Sequence, residues 1–237
     1  MSNAFTITIS GLKKTFGDRT VLDVESLVLE SGLSYALVGP NGSGKSTLIR
    51  MLSGVEAATA GSVDVSGNAT RESLAVGYMP QKSYVFGFSV FKNVAMALGS
   101  AGLGKDEVNA RVRNALEAVG MIDMADARGS GLSGGEAQRV ALARLLVQDL
   151  DVVLLDEPTA SMDIAGTMLV EDALKSYRER TGCLMLTATH APSQAHRISD
   201  KAVMLSEGRV VELGETAEVL TTPTSEAGRE FLSYWAV

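Results

Sequence analysis

Cysteine occurs once in these 237 residues, and Cys183 alone cannot build a disulfide framework. It sits in an apolar stretch and reads as a small buried hydrophobe, which suits a reducing cytoplasm. Positive charge is also in deficit: 21 Lys and Arg stand against 28 Asp and Glu, a net charge of −7. That balance argues against a broad nucleic-acid footprint and predicts no nucleic-acid partner. No stretch approaches the roughly 18 uninterrupted apolar residues of a membrane-spanning helix. The N-terminus lacks the basic region and apolar core of a secretory leader, so the chain is expected neither to span a membrane nor to be secreted. Ser2-Asn3-Ala4 reads as a remnant of an expression tag and carries no fold information.

What is present points to a large α/β chain with an ample core. Alternating segments (Thr6-Ile7-Thr8-Ile9 and Val21-Leu22-Asp23-Val24) predict an antiparallel β-layer, joined later by residues 62–66. Continuous apolar runs at 33–38, 151–155 and 183–189 predict buried parallel strands. Between Gln81 and Ser133 the pattern turns helical, with helices expected at 90–98 and 105–119 and a turn near 122–125. After Asp200, two short strands broken at Glu207-Gly208 precede helices near 215–220 and 225–235. Phe231, Leu232 and Trp235 keep helical spacing and read as packing against the core, with no nucleotide role.

The loop Gly39-Pro40-Asn41-Gly42-Ser43-Gly44-Lys45-Ser46-Thr47 fills every fixed position of the phosphate-binding pattern G-x-x-x-x-G-K-[ST], between a strand and a helix as the pattern requires. Gly42 and Gly44 let successive N–H groups turn inward around phosphate oxygens, and the following helix adds its positive N-terminal end. Lys45 then reaches the β- and γ-phosphates, Ser46 ligates Mg²⁺, and Thr47 is a second hydroxyl. Taken alone, the loop indicates a nucleoside triphosphate and no more.

Asp151-Val152-Val153-Leu154-Leu155-Asp156-Glu157-Pro158 is too short for a buried helix and ends in charge and proline, so it reads as a central strand. Ligands in such sheets sit outside the carboxyl ends of strands, which places Asp156 and Glu157 beside the phosphates. Asp156 is the expected Mg²⁺ holder and Glu157 the general base for water. Two acids at a strand end also suit a solvated turn; the phosphate loop decides between the readings.

The third segment is Leu132-Ser133-Gly134-Gly135-Glu136-Ala137-Gln138. Alone, it is a Ser N-cap with Glu136 at N3, a capping box. In order with the other two, it makes the chain resemble the ATP-binding cassette (ABC) ATPases over nearly its whole length. The resemblance implies one nucleotide-binding domain over 1–237, with a P-loop NTPase core on a parallel sheet, an antiparallel β-subdomain and a helical subdomain inserted at about 82–148. It implies ATP and Mg²⁺ as cofactors. It also implies that Ser133, Gly134, Gly135 and Glu136 of one subunit cap the γ-phosphate held by a second copy, in a homodimer. Gln81 matches the glutamine that senses Mg²⁺ and the attacking water, and His190 the switch histidine at the γ-phosphate. Asp163, in Ser161-Met162-Asp163, matches the loop crossing the dimer interface, and by itself is an N-cap for a helix at 164–177. Phe16 takes the place of the aromatic that stacks on adenine, against the simpler reading of a core aromatic in a hairpin. His196 reads as surface.

Three positions depart from the family pattern. Glu136 stands where glutamine is common, Met162 replaces leucine, and Ala191-Pro192 follows His190 where an acid is usual, so the bonds positioning His190 are expected to differ. The aromatic segment Tyr84-Val85-Phe86-Gly87-Phe88-Ser89-Val90-Phe91 lies where transporter ATPases receive a membrane subunit; half of it is expected to pack the insertion's own core. A soluble DNA or ribosome factor of the family would need long coiled coils or a second cassette. The resemblance therefore implies transmembrane permease subunits and an extracytoplasmic substrate-binding protein as partners, with this chain peripheral on the inner face of the cell membrane. Leu-Ser-Gly-Gly-Glu-Ala-Gln-Arg-Val-Ala-Leu-Ala-Arg at 132–144 resembles importers of oxyanions such as tungstate, molybdate or phosphate. A polar amino acid importer is the next reading, and an exporter or lipid-moving system the third.

Overall fold

The computed structural model describes residues 4–235, so Ser2 and Asn3 lie outside the described residues. In chain order, β1 (Phe5–Phe16) and β2 (Arg19–Glu30) form a long hairpin. β3 (Ser34–Val38) leads into α1 (Lys45–Leu52), and β4 (Ala60–Gly67) returns to pair with β1. β5 (Val76–Met79) is followed by α2 (Val90–Ala95) and its tight 3₁₀ turn Met96–Leu98, then α3 (Lys105–Ala118) and α4 (Gly134–Leu146). β6 (Val152–Asp156), α5 (Ile164–Thr181), β7 (Leu184–Ala188), α6 (Pro192–Ile198), β8 (Lys201–Ser206), β9 (Arg209–Glu215), α7 (Thr216–Thr221) and α8 (Glu226–Ser233) complete the chain.

The chain divides into two compact units. Residues 4–77, 151–157 and 181–235 form one; residues 78–150 and 158–180 form the other. The 82–148 stretch falls within the second unit, and α5 groups with it.

The first unit carries both sheets. The antiparallel one has the order β2-β1-β4, and its inward side chains, Ile7, Ile9, Leu22, Val24 and Leu29 among them, alternate with exposed ones as a half-buried strand requires. The other has the order β5-β6-β7-β3-β8-β9, with only the first two residues of β5 belonging to this unit. β6, β7, β3 and β8 run parallel, and β9 is antiparallel to β8. Every residue of β3, β6 and β7 is buried, which explains why these strands read as unbroken apolar runs. Register places Leu37 opposite Ala188 and Ala188 opposite Asp156, so the carboxyl ends of β3, β7 and β6 finish in one row.

At the far end of the chain, Phe231 enters a cluster with Ala36, Val38, Ala195, Ala202, Met204 and Val219, and Leu232 packs on its edge. Trp235 departs from the expected core packing: it remains 45% exposed and its ring lies 6.2 Å from that of His190. α8 ends at Ser233, and Trp235, two residues beyond it, has already reached the surface. The anchor itself is substantial. Phe231→Ala is expected to destabilise the protein by about 3 kcal/mol in urea unfolding. Tyr234→Ala, at a 77% exposed position, should stay within about 0.5 kcal/mol.

Candidate functional site

The phosphate loop is built by the turn between β3 and α1. Gly44, just before α1, takes φ +103°, and a Cβ there would meet Leu22 Cδ1 at 2.9 Å and the Val21 carbonyl at 3.0 Å, so only glycine fits. β2 thus closes over the loop from outside. Ser43 N–H donates to the Pro40 carbonyl at 3.2 Å, closing a turn, and Gly208 N–H donates to the Ser43 carbonyl at 3.0 Å.

Lys45 is 7% exposed, and its Nζ donates to the carbonyls of Gly39 (2.7 Å) and Pro40 (3.0 Å). Burial pushes its pKa down, while the charges of Glu157 and Asp156 push the other way. The side chain is therefore a desolvated cation facing two carboxylates across a cleft of main-chain groups. Ser46 Oγ donates to Asp156 Oδ1 at 2.9 Å, tying α1 to the end of β6. Asp156 is 1% exposed, and its Oδ2 is buried without a hydrogen-bond partner, as is Ser43 Oγ. A buried carboxylate oxygen with no donor is costly unless a cation or donor completes it.

Beyond Asp156 the chain turns sharply. Glu157 adopts φ +52°, left-handed for a residue with a Cβ, with its N–H donating to the Ala188 carbonyl at 3.0 Å. Such backbone costs on the order of 1–3 kcal/mol and persists only where surrounding contacts impose it. Here it aims the carboxylate at His190, whose Nδ1 meets Glu157 Oε2 at 2.6 Å. The loop after β7 is fixed by Thr189 Oγ1, which accepts from the Ala191 N–H at 3.1 Å. That bond is the local solution where Ala191 offers no side-chain acceptor. His196 is exposed, as expected.

Phe16 lies at the end of β1 and is 52% exposed, with Lys14 Nζ 4.8 Å from its ring centroid. The simpler reading, a core aromatic, does not hold. It presents an accessible face beside a cation.

The second unit holds the remaining residues. Ser133 is the N-cap of α4, and the capping box is complete. Glu136 N–H donates to Ser133 Oγ at 3.3 Å, while Glu136 Oε2 accepts from both the Ser133 N–H and Oγ at 2.8 Å. These bonds from the Ser133 backbone and hydroxyl hold the Glu136 carboxyl below its ordinary range. Gly135 is forced by packing: a Cβ would sit 2.8 Å from the Ser161 carbonyl. The Ser161 N–H donates to the buried Gln138 Oε1 at 3.2 Å. This clamp on the 161–163 loop was missed by sequence reasoning, although Gln138 lay within the segment that drew attention. Asp163 Oδ1 accepts from the Gly166 N–H at 2.8 Å, the N-cap bond expected of it. Ser133, Gly134, Gly135 and Glu136 line a hollow of about 640 Å³ with Ser161, Met162, Asp163 and Gly166. Gln81 is exposed and also belongs to this unit.

The structure thus gathers Lys45, Ser46, Asp156, Glu157 and His190 in one unit, and Ser133, Gly134, Gly135, Glu136 and Asp163 in the other. Among the described residues, no three or more His, Cys, Asp or Glu converge as a metal cage. A hydroxyl, a carboxylate and a cradle of N–H groups instead suit a hard divalent cation that arrives with phosphate oxygens.

Comparison with known proteins agrees with this architecture. A family model described as ABC transporter matches residues 22–160. The chain is 40% identical over 207 residues to the tungstate uptake system ATP-binding protein TupC of Peptoclostridium acidaminophilum, covering 87% of this chain and 97% of that protein. It is 38% identical over 239 residues to a probable anion import ATP-binding protein of Haloferax volcanii, covering 92% and 83%. Further relatives are named for spermidine/putrescine, methionine and sulfate/thiosulfate import. Among solved structures, cbiO1 from Clostridium perfringens, described as part of the ABC transporter complex cbiONQ, superposes with TM-score 0.76 at 28% identity, over 91% of this chain and 90% of that one.

The capping box makes a pH-dependent contribution. Because Glu136 is held below its ordinary range in the folded chain, its stabilisation is present above the unfolded carboxyl pKa, about 4.3, and is lost as pH falls through the folded value. Chemical denaturation should show the wild-type chain more stable than Glu136→Gln at pH 7, with the difference vanishing under acid. A gap that persists unchanged into acid would exclude this role.

Proposed function

The chain belongs to the ABC transporter family, and from that membership we propose that it is the ATP-hydrolysing subunit of an importer for an oxyanion such as tungstate, molybdate or phosphate. One observation carries the catalytic part: Ser46 and Asp156 meet at 2.9 Å beside the buried Lys45, with Asp156 Oδ2 still lacking a partner.

In this reading the N–H groups of 39–47 cradle the α- and β-phosphates of ATP, Lys45 reaches the β- and γ-phosphates, and Phe16 stacks on adenine. Ser46 and Asp156 would hold Mg²⁺. The cation supplies charge neutralisation on the phosphate oxygens. Glu157 accepts a proton from the attacking water, and its bond to His190 orders both side chains, leaving His190 Nε2 for the γ-phosphate. Ser133 and the Gly134 and Gly135 N–H groups, at the start of α4, cap the γ-phosphate held by a second copy. Asp163 reaches across the same dimer. ATP binding closes the pair and hydrolysis reopens it, which moves attached permease subunits. An extracytoplasmic binding protein delivers the anion.

The location this implies is peripheral, at the inner face of the cell membrane. Among the described residues no helix is long and apolar enough to cross a membrane. The exposed Tyr84, Phe86 and Phe88 in the second unit, with Tyr84 edge-on to Phe86 and Phe86 stacked on Phe88, supply an apolar contact for a membrane partner. The oxyanion assignment rests on the 132–144 segment together with the names of the relatives.

Glu157→Gln should retain ATP, trap a dimer on a sizing column, and lower turnover by about 10²- to 10⁴-fold, the contribution of a general base. A variant that hydrolyses at the wild-type rate removes Glu157 from that role. Cargo is tested in proteoliposomes carrying the complete transporter. Tungstate, molybdate or phosphate with the binding protein should stimulate hydrolysis, while stimulation by methionine or putrescine would overturn the oxyanion assignment and leave the ATPase intact.

A further inference from the structure

The only tryptophan in the chain lies against His190. Their ring centroids are 6.2 Å apart with planes tilted by 37°, within the usual range for aromatic pairs. We propose that Trp235 is a positioning residue for His190, holding the imidazole in the orientation that its bond to Glu157 requires. The proposal rests on the γ-phosphate role of His190 and adds a residue outside every motif that carries that role.

Three observations support a built contact. First, His190 is exposed, and among the described residues its side chain makes one hydrogen bond, from Nδ1 to Glu157. A single bond fixes the distance but leaves the ring free to swing about it. Thr189 Oγ1 holds the backbone at Ala191, and Ala191 itself has no polar group to reach the ring. A surface against one face of the imidazole removes the remaining freedom.

Second, the helix that presents Trp235 is fixed at both ends. Burial opposes the charge of Glu212 on β9, but four hydrogen bonds from Thr224 and Ser225 outweigh it and hold the carboxyl below its ordinary range. The Ser225 hydroxyl in turn caps α8 by accepting from the Gly228 N–H at 3.0 Å. At the other end, Phe231 is buried, and the Trp235 N–H donates to the Leu232 carbonyl at 2.9 Å, continuing the turn.

Third, the two partners share a foundation. Ala195 on α6, the helix that follows His190, belongs to the same core cluster as Phe231. Phe231 lies two residues before the end of α8 at Ser233, and Trp235 follows two residues beyond it, held in the closing turn by its N–H to the Leu232 carbonyl. The cluster that seats α6 therefore also sets where Trp235 arrives.

Purified full-length variants with thermal melts within a few degrees of wild type test the proposal through steady-state ATPase kinetics and emission spectra. Trp235→Ala should lower kcat by about tenfold while KM for ATP moves less than about twofold, as expected for a misplaced catalytic group. Trp235→Phe should recover at least about half of the wild-type kcat, because a planar face is restored. Tyr234→Ala, its exposed neighbour, should match wild type. The double variant Trp235→Ala/His190→Ala should be no slower than His190→Ala alone, since a residue acting through another has nothing left to act on. Trp235 is its own spectroscopic reporter, so replacing His190 with alanine should shift its emission to the red.

Identical spectra for the wild type and His190→Ala would show that the rings do not touch. A red shift with unchanged kcat in Trp235→Ala would mean a contact that positions nothing. Additive losses in the double variant would place the effect elsewhere. His190→Ala with wild-type kcat would remove the role of His190 itself, a failure distinguishable from the others because the emission shift would remain. Each of these four results overturns the proposal.

Discussion

The parallel register of β3, β7 and β6 is the constraint on which the first unit depends. Leu37, Ala188 and Asp156 form one row across three buried strands spaced about 4.8 Å apart, so the residues after each strand must emerge at the same edge. Those residues are Gly39, Thr189 and Glu157. A lysine loop, a histidine and a carboxylate converge because their strands end level, although 110 residues separate Ser46 from Asp156. A slip of one residue would turn the opposite face of a strand inward, and since all five residues of each strand are buried, apolar pattern alone does not forbid it. The polar ends do: Ser34 N–H donates to Asp200 Oδ2 and Ser34 Oγ to the Ile198 carbonyl, which pins the start of β3. Asp151 Oδ2 accepts from the Ala75 N–H, which pins the start of β6.

The second unit solves a different problem, that of presenting a hydroxyl and bare N–H groups at a helix start. Ser133 does two tasks that are often read as rivals. Its capping bonds with Glu136 fix the first turn of α4, and the same geometry leaves the Gly134 and Gly135 N–H groups at the exposed helix end. Gly135 is also where the 161–163 loop comes close, so the residue that suits an anion is the one its neighbour's packing demands. A side chain there would disturb both at once.

Much of this was legible from residues alone. Strand and helix positions followed from period and capping, because buried parallel strands and capped helices leave local signatures. The errors mark where tertiary structure overrides local pattern. α5 runs to Thr181 where periodicity had suggested 177. The helix expected at 90–98 tightens to a 3₁₀ turn after Ala95. The site divides similarly. Lys45, Ser46, Asp156 and Glu157 announce themselves by spacing, but the left-handed backbone of Glu157, the Gln138 bond to Ser161 and the approach of Trp235 to His190 are contacts in space that no short window encodes. Phe16 and Trp235 show the same limit from the apolar side, since helical or strand spacing predicts burial, and both stand half exposed where the element outruns its core.

The electrostatics of the loop show why its groups cannot be summed as independent contributions to binding. Lys45 already donates to two carbonyls at hydrogen-bond distance, so a phosphate must compete with partners of good geometry, and its gain is the difference between the two arrangements. Asp156 is the opposite case. Its Oδ2 is buried and unpartnered, so a cation reaching it relieves an existing cost. Anion and cation therefore meet unequal terms: the anion must displace hydrogen bonds, while the cation completes an unsatisfied carboxylate. The favourable course is for both to enter together, with the positive charge beside Asp156 neutralising the phosphate that draws Lys45 away from Gly39 and Pro40. Under the proposed function, this asymmetry between two side chains at the ends of adjoining elements favours a cation-bearing polyphosphate over either component alone.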